Sequence, residues 1–191
     1  MKNYFIASQF EADFFLDGFK QIEHNIYEKD CRIIVTGTGL VNTAVSCTKF
    51  FSEYGVSEGN EYINIGIAGA VNPKFKISEI LMPDHFSVFN AADIPASSES
   101  IFEQSYPEIG DGKLRLASSP APVWGELSIA KLQKKNIDLV DMEAYSFVSV
   151  CRQFSAPCKV IKAISDHLIK DSQDEFLKNA EKAILSLMKS L

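Results

Sequence analysis

Apolar residues along this chain fall into short runs that alternate with stretches of helical spacing, the rhythm of an α/β protein. Tyr4 to Ala7 predicts a first buried strand, and Phe14, Phe15, Leu16 and Phe19 predict a helix over Glu11 to Phe19. Arg32 to Val35 predicts a second strand. After it Val41, Ala44, Val45, Thr48 and Phe51 recur at helical intervals, with Gly55 as the stop. Tyr62 to Ile67 is a third strand closed by Ala68-Gly69-Ala70, and Glu79 to Met82 is a further one. The pattern weakens from Asn90 to Pro122. There Ile94-Pro95-Ala96, the serines after it and Gly110-Asp111-Gly112 mark loops around one strand at Leu114 to Ala117.

The rhythm then returns. Leu127 to Lys135 is helical, Leu139 to Asp141 a strand, and Ala144, Phe147, Val148 and Cys151 mark a buried helix face. Lys159 to Ile164 is the last clear strand. In the C-terminal helix Ser172 and Glu175 form a capping-box pattern, and Phe176, Leu177, Ala180, Ala183, Ile184, Leu187 and Met188 make one apolar stripe. No repeat or linker interrupts the series, so a single domain over residues 1–191 is expected, an α/β sandwich with a mostly parallel central sheet. Ligands of such sheets collect at the carboxyl ends of strands. Glu11, Gly37, Gly69, Glu143 and Asp166 all follow predicted strands and can share one rim.

Composition narrows the partners. A chain of 191 residues holds a real core, and a formal net charge of −6 disfavours nucleic acid and anionic membranes. The one basic cluster, Lys131-Leu132-Gln133-Lys134-Lys135, is read as a solvated helix face. Four cysteines without CxxC or Cys/His spacing point to reduced, mostly buried thiols rather than disulfides or metal. The N-terminal apolar run is too short for a signal peptide, and no run approaches the ~18 residues of a membrane span. A cytoplasmic protein is expected.

Thr36-Gly37-Thr38-Gly39 lacks the Lys-Ser/Thr of a P-loop and the third glycine of a dinucleotide fingerprint, so it is either a tight strand-to-helix turn or a phosphate cradle. The glycines of Asn64-Ile65-Gly66-Ile67-Ala68-Gly69-Ala70 allow a close ligand or a close strand–helix crossing. A carboxylate inside a buried pattern, as at Glu143, costs several kcal/mol unless it is paired or hydrogen-bonded. It is either a structural ion pair or a holder of vicinal sugar hydroxyls, with Met142 against the sugar or simply in the core. Asp166, after Ser165 at a strand end, faces a cleft or caps a helix. Glu11 is a reacting base or a first-turn helix acid.

Taken together and in this order, the glycine turns at Thr36 to Gly39 and Asn64 to Ala70, Asp141-Met142-Glu143-Ala144 and Ala163-Ile164-Ser165-Asp166 resemble the nucleoside phosphorylase/nucleosidase superfamily. The likeness is closest to its methylthioadenosine/S-adenosylhomocysteine nucleosidase and futalosine hydrolase branches. Ala7-Ser8-Gln9-Phe10-Glu11 is similar to the family's first-strand motif. The resemblance implies a three-layer sandwich with a mostly parallel mixed central sheet flanked by helices. It implies Asp166, beside Ser165, as the group that protonates or hydrogen-bonds N7 of a purine, and Glu11 as base on the attacking water. Glu143 would hold the ribose hydroxyls with Met142 against the sugar. Ile67, Ala68, Gly69, Val123 and Trp124 would complete the nucleoside site. No metal or organic cofactor is implied, and a homodimer is expected, with the phenylalanine-rich helices as one source of an apolar interface.

Phosphorylases of the superfamily hold phosphate with arginines, whereas Ala7 to Phe15 contains none, and Asn64 and Ile67 occupy the arginine-like and serine-like positions. A dianion without cationic partners binds badly, so water is the expected nucleophile. Lys162 stands where arginine is more common in the family. A phosphorylase and a catalytically silent nucleoside-binding protein are the competing readings.

Overall fold

The computed structural model describes residues 1–90, 98, 105–169 and 173–191. Ten strands among them form one sheet: β1 (Lys2–Ile6), β2 (Lys20–Glu23), β3 (Ile26–Glu28), β4 (Arg32–Val35), β5 (Glu61–Ala70), β6 (Ile80–Leu81), β7 (His85–Val88), β8 (Arg115–Ser118), β9 (Leu139–Asp141) and β10 (Cys158–Asp166). The helices are α1 (Gln9–Asp13), α2 (Leu40–Tyr54), α3 (Glu126–Lys134), α4 (Ala144–Gln153) and α5 (Gln173–Ser190). β1–β4, β1–β5, β5–β10, β7–β8 and β8–β9 are parallel pairs. The pairs β2–β3, β3–β4, β5–β9 and β6–β10 are antiparallel. The sheet is mixed, and its parallel part runs through the middle.

β5 organises everything else. Its first residues pair with β1, its other edge pairs with β10, and Gly69 and Ala70 pair with β9 on the edge that β1 has left. Between the ends of β1 and β9 that edge lies open around residues 65 to 68, and the Glu11 side chain of α1 enters there. On one face α2 and α4 cover Phe5, Tyr62, Val160 and Ile164, and Phe50, Phe51 and Phe147 complete the cluster. Burying side chains such as Phe5, Phe51 and Phe147 contributes roughly 1.5–3 kcal/mol each. On the other face α5 sets Ala183 and Leu187 against Ala163. This is the three-layer sandwich that the resemblance implied.

Several sequence expectations need correction. The first helix ends at Asp13, not Phe19. Phe15, Leu16 and Phe19 instead pack from a turn, with Gly18 at φ +74°, onto the cluster around Tyr4 and Ile6. The hairpin β2–β3 went unpredicted because β2 is exposed throughout and carries no buried alternation. β7 was also missed. β5 does not close at Ala68 but runs through Ala70, since Gly69 and Ala70 are laddered to β9. In α2 the buried face is Thr43, Cys47, Phe50 and Phe51, so Val41 (75% exposed) and Val45 (64% exposed) point to solvent. The phenylalanines of α2 and α4 lie in the core. All four cysteines are free thiols, with Cys47 and Cys151 buried. The expected loop at Ile94 to Ala96 and the cap at Ser172 lie outside the described residues.

Candidate active site

At the carboxyl ends of β1, β5, β9 and β10 a cavity of about 700 Å³ opens. Glu11, Ile67, Ala68, Gly69, Val123, Trp124, Met142, Glu143, Ser165 and Asp166 all line it, whereas Gly37, expected on the same rim, does not. How each arrives follows from local structure.

Glu11 sits in the first turn of α1, whose N-cap is Ser8. The backbone N–H of Glu11 donates to Ser8 Oγ at 3.2 Å, and the Ser8 hydroxyl donates to Glu11 Oε2 at 2.8 Å. The other oxygen, Oε1, accepts the N–H of Ile67 at 3.2 Å, in the gap that β1 leaves along β5. A Cβ on Gly66 would lie 2.9 Å from that oxygen. Glycine is therefore required at 66 to let the buried carboxylate reach the strand.

Glu143 is placed by the strand-to-helix junction of β9 and α4. Its Oε1 accepts the N–H of Gly39 at 2.8 Å and its Oε2 that of Met142 at 3.3 Å. Gly39 has φ +95°, which favours glycine, and this turn presents its N–H to the carboxylate. The Thr36–Gly39 segment is thus a tight turn that anchors Glu143, and the donor at Gly39 is already engaged. Burial first, and then the neighbouring Asp141, push the Glu143 carboxyl up to about 7, against the pull of Lys162 and of the Gly39 N–H.

That raised value has a sign. A carboxyl that binds its proton more tightly folded than unfolded weakens folding as pH rises from the ordinary carboxylate range to about 7, and the penalty persists above it. Glu143→Gln should therefore gain roughly 1–3 kcal/mol at pH 8, with the gain vanishing towards pH 4. Urea unfolding of both proteins at the two pH values checks this. Equal stabilities at pH 8 would mean that the ionised carboxylate carries no such penalty.

Behind Glu143 lies a pair that sequence reasoning did not assign. Lys162, 1% exposed, donates from Nζ to Asp141 Oδ2 at 2.9 Å. Asp141 also accepts the Ala144 N–H, thereby capping α4, and the Ser118 hydroxyl. Burial opposes the ammonium, but Asp141, Glu143 and Glu11 together outweigh it and hold its pKa above the usual lysine range. The sequence did carry a signal: a lone lysine inside an apolar strand needs a carboxylate partner.

Asp166 ends β10. The β5–β10 register shifts between Ile164 and Asp166, and this irregularity of the kind a bulge makes re-aims the strand end. Its Oδ2 accepts the Ser165 hydroxyl at 2.7 Å and its Oδ1 the Leu168 N–H at 2.8 Å. Val123 is buried, and Trp124 stands at the rim, 53% exposed. Apolar walls from Phe10, Leu168, Phe176 and Leu177 were not foreseen. Ser8 was within reach of sequence reasoning, because Ser8 and Glu11 have capping-box spacing.

Chemically, the cavity offers four carboxylates, Glu11, Asp141, Glu143 and Asp166, and an apolar wall. Among the described residues no arginine or lysine lines it, and no group of three His, Cys, Asp or Glu residues is placed to hold a metal ion.

Known proteins share this fold. Residues 115–191 match the family model described as Phosphorylase superfamily. A 5'-methylthioadenosine/S-adenosylhomocysteine nucleosidase of Staphylococcus aureus (strain JH9) is 26% identical, aligned over 83% of this chain and 78% of its own length. The crystal structure of the nucleosidase of that name from Neisseria meningitidis superposes with a TM-score of 0.81 at 19% identity, covering 98% of this chain and 95% of the other. Futalosine hydrolase of Helicobacter pylori strain 26695 gives 0.78 at 20% identity, covering 98% and 94%. The chain has the α/β fold of these solved structures. The family match covers residues 115–191, less than half of the chain.

Proposed function

We propose that the protein is a nucleosidase, a single catalytic domain over residues 1–191 that hydrolyses the N-glycosidic bond of a purine-type ribonucleoside. Methylthioadenosine/S-adenosylhomocysteine-type nucleosides are the first substrates to consider and futalosine-type nucleosides the next. The observation that carries the reading is the arrival of Asp166, Glu143 and Glu11 in one cavity. Glu11 lies over Gly66 and Asp166 beside Gly69, three residues apart on β5 and so about 10 Å along the strand. That span suits a nucleoside whose base and sugar ends are handled by different groups.

In this reading Asp166 delivers a proton to, or shares one with, the leaving base, because a purine leaves readily only once its charge is neutralised. Glu143 accepts the ribose hydroxyls and stabilises the oxocarbenium-like sugar as positive charge develops. Glu11, fixed by Ser8 and Ile67, takes a proton from the attacking water. Met142 packs on the sugar, with Val123 and Trp124 on the base side. Ile67, Ala68 and Gly69 supply backbone that a ligand can approach closely.

Phosphorolysis is the second reading, and the walls count against it. The Gly39 N–H is spent on Glu143, and Lys162 is spent on Asp141. The deciding experiment is release of adenine from methylthioadenosine in phosphate-free buffer, with the sugar product identified. Free sugar at an undiminished rate supports the hydrolase. A rate that rises with phosphate and yields sugar 1-phosphate means a phosphorylase, and binding without base release means a silent nucleoside-binding protein. We place the enzyme in the cytoplasm as a homodimer: the four free thiols suit a reducing compartment, and exposed Val41 and Val45 give α2 an apolar outer face.

A further inference from the structure

Leu168 follows Asp166 by two residues and has φ +60°, a left-handed conformation that L side chains disfavour. It is buried, and each of its parts is engaged. Its N–H donates to Asp166 Oδ1 at 2.8 Å, and its carbonyl accepts the N–H of Gly125 at 2.9 Å. Its side chain sits against Gly69 so closely that a Cβ there would lie 2.3 Å from Leu168 Cδ2 and 3.0 Å from Asp166 Oδ1. It also packs in the cluster that contains Val123 and Val140. A turn that merely needed positive φ would take glycine or asparagine without strain. Leucine can hold it here because the seat over Gly69 and the two backbone bonds offset the strain.

We propose that Leu168 is a positioning residue: seated on Gly69, it holds Asp166 through its N–H and the Val123–Gly125 segment through its carbonyl, so that the acid and the nucleobase wall are set as one unit. The catalytic consequence rests on the nucleosidase reading; the latch itself does not.

Trp124, the only tryptophan in the chain, adjoins Gly125 and reports on the latch without turnover. Leu168→Ala should raise acrylamide quenching of Trp124 and lower kcat by about tenfold or more, with a smaller change in KM, because a misplaced acid harms the chemical step more than ground-state binding. Leu168→Met, of similar volume, should recover most of both signals. Gly69→Ala, which fills the seat from below, should reproduce them. In Gly69→Ala/Leu168→Ala the two effects should not add, since both unseat the same side chain. Unchanged quenching together with unchanged kcat in a folded Leu168→Ala protein overturns the proposal, as does full additivity in the double variant. Should Leu168→Ala fail to fold, Gly69→Ala and Leu168→Met decide by the same readouts. A wild-type protein that releases base from no nucleoside would sink the nucleosidase reading, while the quenching experiment would still judge the latch.

Discussion

Asp166→Asn should slow base release by at least ~10²-fold, the contribution of a positioned general acid, and leave nucleoside binding within a few-fold of wild type. The structure suits this substitution to a clean test. Asp166 accepts two hydrogen bonds, from the Ser165 hydroxyl and the Leu168 N–H, and both donors come from its own strand end. Asparagine is isosteric and keeps one acceptor oxygen for one of those donors, so the strand end retains its course. What asparagine lacks is a proton to give to N7 of the departing base. The loss should therefore appear in kcat, measured under single-turnover conditions so that product release does not mask it. A normal rate in Asp166→Asn would remove this residue from the chemistry and leave Glu11 and Glu143 to explain cleavage by stabilising the sugar cation alone. Glu11→Gln would distinguish that case, because it removes the base that activates water.

The same residues show how far the sequence alone could be read. Strands with predominantly apolar runs, such as Ile33–Val35 and Val160–Ile164 with its one lysine, were recognisable because burial on both faces demands them. Asp141–Glu143 and Ser165–Asp166 stood out because carboxylates in buried patterns are costly and so need a reason. The glycines of β5 were the misleading signal. Gly69 looked like the end of a strand, yet it is the seat of Leu168 and still part of the ladder to β9. Gly66 makes room for Glu11, a residue some fifty positions earlier. Such roles depend on what approaches across space, and local pattern does not encode that. The first helix failed for a related reason: Phe14, Phe15, Leu16 and Phe19 have helical spacing, but Phe15, Leu16 and Phe19 bury their apolar surface by packing from a turn. The pairing of Lys162 with Asp141 required the order β10–β5–β9, in which Lys162, opposite Gly66 in mid-strand, reaches across β5 to Asp141 at the end of β9.

That pairing leads to the second large effect. Lys162→Met should destabilise the fold by roughly 3–5 kcal/mol, the usual cost of breaking a buried ion pair from one side. Methionine fills much of the space of the lysine stem, so little of the loss would come from a cavity. The damage is electrostatic: Asp141 would remain buried with only the Ser118 hydroxyl and the Ala144 N–H to hold its charge. Lys162 also draws down the Glu143 carboxyl, which burial and Asp141 have pushed up to about 7. Without the ammonium that carboxyl rises further, so the group proposed to hold the ribose is more fully protonated at neutral pH. Nucleoside affinity at pH 7 should fall and return partly at higher pH. The double variant Lys162→Met/Asp141→Asn separates the two consequences. Removing both charges spares the protein a lone buried carboxylate, so most of the lost stability should return. Urea unfolding of the single and double variants, with nucleoside binding followed from pH 6 to 9, measures both. If Lys162→Met unfolds within 1 kcal/mol of wild type, the buried charge is not held as the geometry requires, and the account of how Lys162 restrains the Glu143 carboxyl falls with it.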